Sequence, residues 1–170
     1  MKGRFGALFH LVPFQAHEAV RAVTTRLTRE GERLQIDYRL EGDIARLRIP
    51  DKKTSGELWQ HTCFEIFLAP PGMPSYLEFN FSPSGDWAAY SFSAYRAGDR
   101  FNPSSSPAIT ARATQDLVEL TATIDVPGPL AVGLSAVIEI RDGSLQYWAL
   151  KHPAAKPDFH PPDAFAARLE

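Results

Sequence analysis

The chain has 170 residues, 44% hydrophobic and 22% charged, enough for one domain that buries roughly 70% of its unfolded surface without metals or disulfides. A formal charge of −2 supplies no broad positive field, which argues against DNA and RNA as partners. No apolar run nears the ~20 residues that cross a bilayer, residues 1–14 lack the apolar core of an export signal, and the single cysteine, Cys63, cannot close an internal bridge; one domain spanning 1–170 in a reducing cytoplasm is the expectation.

Residues 19–40 read as two β-runs around Glu30-Gly31-Glu32, with Leu34, Ile36, Tyr38 and Leu40 alternating against Gln35, Asp37 and Arg39, the pattern of a hairpin. A third run at 44–49 stops at Pro50, which lacks the N–H that a ladder needs, and 51–56 is a polar loop. The strongest period-2 signal lies in four runs, 58–68, 76–81, 87–95 and 118–124, each bounded by Pro, Gly, Ser or Asp. Between them, 100–107 carries Asn-Pro-Ser-Ser-Ser-Pro and reads as a mobile loop. Runs at 133–141 and 145–150 form a hairpin around Asp142-Gly143, a pair that tolerates the positive φ of a type I′ turn. Asp163 is a candidate cap for a short helical tail at 164–169. About ten short strands, with no helix long enough for a crossover, predict an all-β antiparallel sandwich ending in a short helical turn.

Alternate side chains of a strand point to opposite faces, and several strands here share one design. Phe64, Ile66 and Leu68 are wholly apolar, whereas Trp59, His61, Cys63, Glu65 and Phe67 are mixed. Leu77, Phe79 and Phe81 oppose Tyr76, Glu78, Asn80 and Ser82; Leu134, Ala136, Ile138 and Ile140 oppose Ser135, Val137, Glu139 and Arg141. In one sheet, the second faces would combine carboxylates, an amide, an imidazole and aromatic rings, a surface suited to a polar ligand with apolar patches. Packing under a loop or against another subunit is the plain structural alternative.

The order Leu58-Trp59-Gln60-His61-Thr62-Cys63-Phe64-Glu65-Ile66-Phe67-Leu68, then Tyr76-Leu77-Glu78-Phe79-Asn80-Phe81-Ser82-Pro83-Ser84-Gly85-Asp86-Trp87, resembles the family 9 carbohydrate-binding modules and the wider DOMON-like superfamily. The later Gly133–Glu139 run, Asp142-Gly143, Tyr147–Pro153 and Pro157–His160 resemble a bacterial branch of it, so the likeness covers about residues 5–169 of one domain. The resemblance implies a jelly-roll sandwich holding either a sugar or a b-type haem. In the sugar-binding members two tryptophans clamp a terminal ring, and the matching positions are Trp59 and, more loosely, Trp148. In the haem-binding members an axial Met pairs with His or Lys, which here would bring Met73 to His152, His160 or Lys151.

Catalytic motifs are sparse. His61 and Cys63, at i and i+2, stand about 6.6–6.8 Å apart along a strand, too far for a nucleophile and its base. Glu65, Glu78 and Glu139 could supply an acid and a base for glycoside hydrolysis if strand register paired them. His152, Asp158 and His160 match no compact zinc spacing, and the chain has no phosphate-cradling loop, haem c motif or Gly-x-Ser-x-Gly elbow. The reading is a non-catalytic domain for a saccharide or sugar-containing metabolite. Trp59 and Trp148 would stack, and His61, Glu65, Glu78, Asn80, Arg96 and His160 would make polar contacts. A haem-binding electron-transfer domain and a small glycoside-active hydrolase or lyase are the alternatives, and haem or calcium the cofactors left open.

Overall fold

The computed structural model describes residues 4–53 and 57–170, so the last part of the expected polar loop, 54–56, lies outside the described residues. Thirteen strands are described, and all ladders between them are antiparallel. One sheet orders β1 (Arg4–His10), β3 (Val20–Glu30), β4 (Arg33–Gly42), β10 (Leu117–Asp125) and β9 (Ala108–Ala113). The other orders β2 (Val12–Pro13), β12 (Leu145–Ala149), β11 (Leu130–Glu139), β5 (Cys63–Ala69), β6 (Tyr76–Phe81), β7 (Trp87–Ala94) and β8 (Ala97–Arg100), with β13 (Ala167–Leu169) added alongside β11. The chain is thus an all-β sandwich of a five-stranded and an eight-stranded sheet. Among the described residues no helix is long and apolar enough to cross a membrane.

The period-2 pattern decides what fills the space between the sheets. Leu34, Ile36, Tyr38 and Leu40 from β4 meet Phe64, Ile66 and Leu68 from β5, Phe79 and Phe81 from β6, and Leu134, Ala136 and Ile138 from β11 in one buried cluster. Burying each large side chain stabilises the fold by roughly 1.5–3 kcal/mol. Tyr38 stacks on Phe64 with ring centroids 4.9 Å apart and donates its hydroxyl to the Glu65 carbonyl at 2.9 Å. That bond ties the sheets together and satisfies a phenol that burial would otherwise penalise.

Four sequence expectations are corrected. The 44–49 run is a 3-10 turn, Ile44–Arg46, followed by a single bridge from Leu47 to Ile140. The 58–68 run divides, because Leu58–Gln60 forms a 3-10 turn and the strand starts only at Cys63. The 140–144 turn is not type I′: Gly143 alone has positive φ, at 92°, and its N–H donates to the Ile140 carbonyl while Ile140 N–H donates to Ser144. This is a type I turn followed by a left-handed residue. The tail turns once at Pro162–Ala164 and then becomes strand β13. Leu130–Val132 offers it a ladder, and burial of Ala167 and Leu169 favours that ladder over a helix. The 100–107 stretch crosses between the sheets, with Phe101 N–H donating to the Ala89 carbonyl and Ser105 donating to Asp125.

Candidate functional site on the outer face of the larger sheet

The faces that point away from the core line up across β12, β11, β5, β6 and β7. Register sets Tyr147 opposite Val137, Val137 opposite Cys63, Ser135 opposite Glu65, Glu65 opposite Asn80, and Glu78 opposite Tyr90. Glu65 and Glu78 are therefore diagonal neighbours on one face, at positions about 7–8 Å apart. Over them opens a cleft of about 600 Å³. Its floor holds Glu65 and Glu78, its walls Tyr90, Phe92, Val137 and Tyr147, and its rim Glu57, Trp59 and Arg96. The segment 156–160 closes one side and contributes Asp158, Phe159 and His160. A glycine makes room for the packing beneath this segment: a Cβ on Gly133 would stand 2.7 Å from the Phe165 ring, which lies on Phe67 at 5.7 Å between centroids.

The two floor carboxyls are nearly sealed, Glu65 at 2% and Glu78 at 5% exposure. Glu65 accepts from the Ser135 hydroxyl at 3.1 Å and the Cys63 thiol at 3.5 Å. Burial pushes the Glu65 pKa up to about 7, those two donors opposing it. Burial also pushes Glu78 up, the Glu65 charge adding to the rise while Asn80 and Arg96 oppose it. Near neutral pH the pair thus retains a proton and presents both a donor and an acceptor to a hydroxyl. Cys63 is raised well above the ordinary thiol range, first by burial and then by Glu65, which makes it a structural thiol and a weak nucleophile.

A chain of polar contacts orders the rim. Tyr95 and Arg96 join β7 to β8, and Arg96 takes φ of 53°, a left-handed conformation that costs a non-glycine residue about 1–2 kcal/mol. It is held there from both ends. Its backbone N–H donates to the Tyr76 hydroxyl at 3.0 Å, and its guanidinium donates to Asp158 at 2.9 Å. Tyr95 also donates to Asp158, whose other oxygen receives the His160 N–H at 3.0 Å. Since Tyr76 already accepts from Arg96, its own proton goes to His160 Nδ1 at 2.8 Å, which places the imidazole proton on Nε2, 3.7 Å from Glu78. Burial, with help from the Arg96 charge, lowers the His160 pKa to about 4, so this ring is neutral.

Trp59 is 46% exposed, a ring at the rim rather than in the core. Its Nε1–H donates to Glu57 at 3.1 Å, and Tyr90 donates to the same carboxylate oxygen at 3.0 Å. Glu57 thereby fixes two aromatic walls in one orientation. Burial and then the bond to Glu57 push Tyr90 up to about 12, so it stays a phenol.

The cleft gathers Trp59, Glu65, Glu78, Arg96 and His160 of the sequence candidates; Trp148, His61 and Asn80 are not among its lining residues. Trp148 stands opposite Ala136 in register, so its ring points into the core, where it is 5% exposed. The outward position beside it belongs to Tyr147. His61 precedes the strand and turns to Glu139, with Nδ1 2.9 Å from Oε2. Asn80 lies fully buried opposite Glu65 in the ladder, where it acts on Glu78 from the same face. Tyr90, Phe92, Tyr147 and Phe159 were not among the candidates, though alternation within β7 and β12 puts the first three on the outer face.

The residues expected for the alternative ligand, a b-type haem, are not gathered at this cleft. Met73 is 58% exposed and does not line the cleft, His152 is turned to the Val12 carbonyl at 2.8 Å, and His160 is engaged by Tyr76. Among the described residues no three His, Cys, Asp or Glu side chains are grouped to hold a metal ion.

An all-antiparallel sandwich with an aromatic-walled, acid-floored cleft on one outer face is thus the class that fold and geometry define. No protein-family model and no curated protein matches the chain. Among solved structures, a Bacteroides uniformis protein provisionally described as carbohydrate-binding shares the fold, with a TM-score of 0.72 over 94% of this chain and 84% of that one, at 16% identity.

Proposed function

We propose that the chain is a non-catalytic saccharide-binding domain whose ligand lies in the cleft over β5, β6 and β7. The observation that carries this reading is the combination of flat aromatic walls and buried carboxyls within one opening of about 600 Å³, inside the 300–1,000 Å³ range of small-ligand sites. Rings such as Trp59, Tyr90 and Tyr147 offer faces to sugar C–H groups, while Glu78, Arg96 and His160 Nε2–H exchange hydrogen bonds with hydroxyls. The description of the Bacteroides neighbour and the resemblance to family 9 modules support the same ligand class. Glu65 serves here as a buried acceptor behind Glu78 and not as a nucleophile, since Ser135 and Cys63 already occupy its carboxylate.

Calorimetry against a panel of mono- and oligosaccharides tests the proposal. At least one sugar binds at millimolar concentration or below, and Trp59→Ala weakens it about tenfold, the equivalent of about 1.4 kcal/mol. Silence across the panel, or full affinity without the Trp59 ring, defeats the reading.

A further inference from the structure

The floor of the cleft consists of two acids. Among the described residues no arginine or lysine is bonded to Glu65 or Glu78, and Arg96 acts on Glu78 only through its charge. Arg96 is bonded to Asp158 at 2.9 Å, and His160 faces Glu78 as a neutral ring, because burial and the Arg96 charge hold its pKa down at about 4. Lys156 lies on the rim, with its side chain in no ion pair among the described residues. A neutral sugar covering this floor would desolvate the carboxyls further with no compensating charge. A cation would reverse that balance, and the surrounding rings add their own attraction for one, since a positive group over an aromatic face is stabilised by the ring quadrupole.

We propose, on the footing of the saccharide reading above, that the preferred ligand is an amino sugar whose ammonium seats against Glu65 and Glu78 between the walls of Tyr90, Phe92 and Tyr147. The remaining hydroxyls then fall to Trp59, Arg96 and His160 at the rim. The ammonium has three donors, enough to bridge the two carboxyls and leave one for a third acceptor. As it enters, the protons that burial holds on the two acids leave for solvent, because a paired cation favours both carboxylates ionised.

Calorimetry on the intact chain at pH 6.5, with glucosamine, N-acetylglucosamine, glucose and the corresponding disaccharides, decides the matter. The free amine binds at least tenfold more tightly than the acetylated and neutral sugars of equal size. Glu78→Gln, and separately Glu65→Gln, bring that preference below threefold, each variant first shown to be folded by its melting curve. Equal affinity for the neutral and amino forms overturns the cation site while leaving the saccharide reading in place. A preference that survives both substitutions overturns it too, and failure of every sugar in both series to bind overturns both proposals together.

Discussion

The buried carboxyl pair makes the stability of the protein depend on pH in an unusual direction. Folding raises the carboxyl pKa of both Glu65 and Glu78 from the ordinary value of 4.5, so between pH 4.5 and about 8 the native state holds more protons than the unfolded chain. Stability then falls as pH rises through that window and levels off above it. His160 acts oppositely, since its lowered pKa lets the unfolded chain bind the extra proton, but that gain with pH is complete by about pH 7. From pH 7 to 8.5 the acids dominate, and releasing about one proton over roughly one pH unit costs on the order of 1–2 kcal/mol. At about 2–4 °C per kcal/mol for a chain of this size, the melting temperature drops by about 2–8 °C. Glu78→Gln removes one of the two titrating carboxyls, so its melting temperature exceeds that of the parent at pH 8.5 and its pH profile is flatter. Circular dichroism melts at pH 5.5, 7 and 8.5 make the measurement. A parent profile that is flat or rising from pH 7 to 8.5, or a variant less stable at every pH, refutes the reasoning.

Two neighbouring aromatics on β12 have opposite roles. Trp148→Leu, a loss inside the core, lowers stability by about 2–4 kcal/mol in urea titrations and leaves sugar binding intact, whereas Tyr147→Ala weakens binding with a smaller loss of stability. Tyr38→Phe deletes the hydroxyl bond between the sheets and costs about 1–2 kcal/mol, again read by urea titration, with no effect on ligand affinity.

What could be read from the sequence follows from how much of each strand is buried. Strands β4 and β10 alternate strongly because one side faces the core, and their limits and facing are legible within a residue or two. Strands β8 and β9 are mostly exposed along their length, so no apolar period marks them and only the partner ladder reveals them. Tail strand β13, three residues long, is too short to carry a period at all. The acidic floor was legible once β5 and β6 were assigned to neighbouring positions, since alternation alone puts Glu65, Glu78 and Asn80 on one face. Trp148 departs from the tryptophan clamp that the resemblance implies because Tyr147, one residue earlier, is the outward position of β12. Nothing in Leu58-Trp59-Gln60 signals the 3-10 turn that precedes the strand, and that turn carries the His61 side chain to Glu139. The closing segment 156–160 is a matter of long-range packing, invisible to any local pattern.

The claim on which the rest depends is that ligand enters over β5, β6 and β7. Amide and indole NMR shifts recorded during titration with a bound saccharide locate it directly. The Trp59 indole N–H, Tyr90, Phe92, Tyr147 and residues 156–160 shift together, while the Trp148 indole stays in place. Shifts concentrated on the five-stranded sheet or around His61 and Glu139, with the Trp59 signal unmoved, contradict the account.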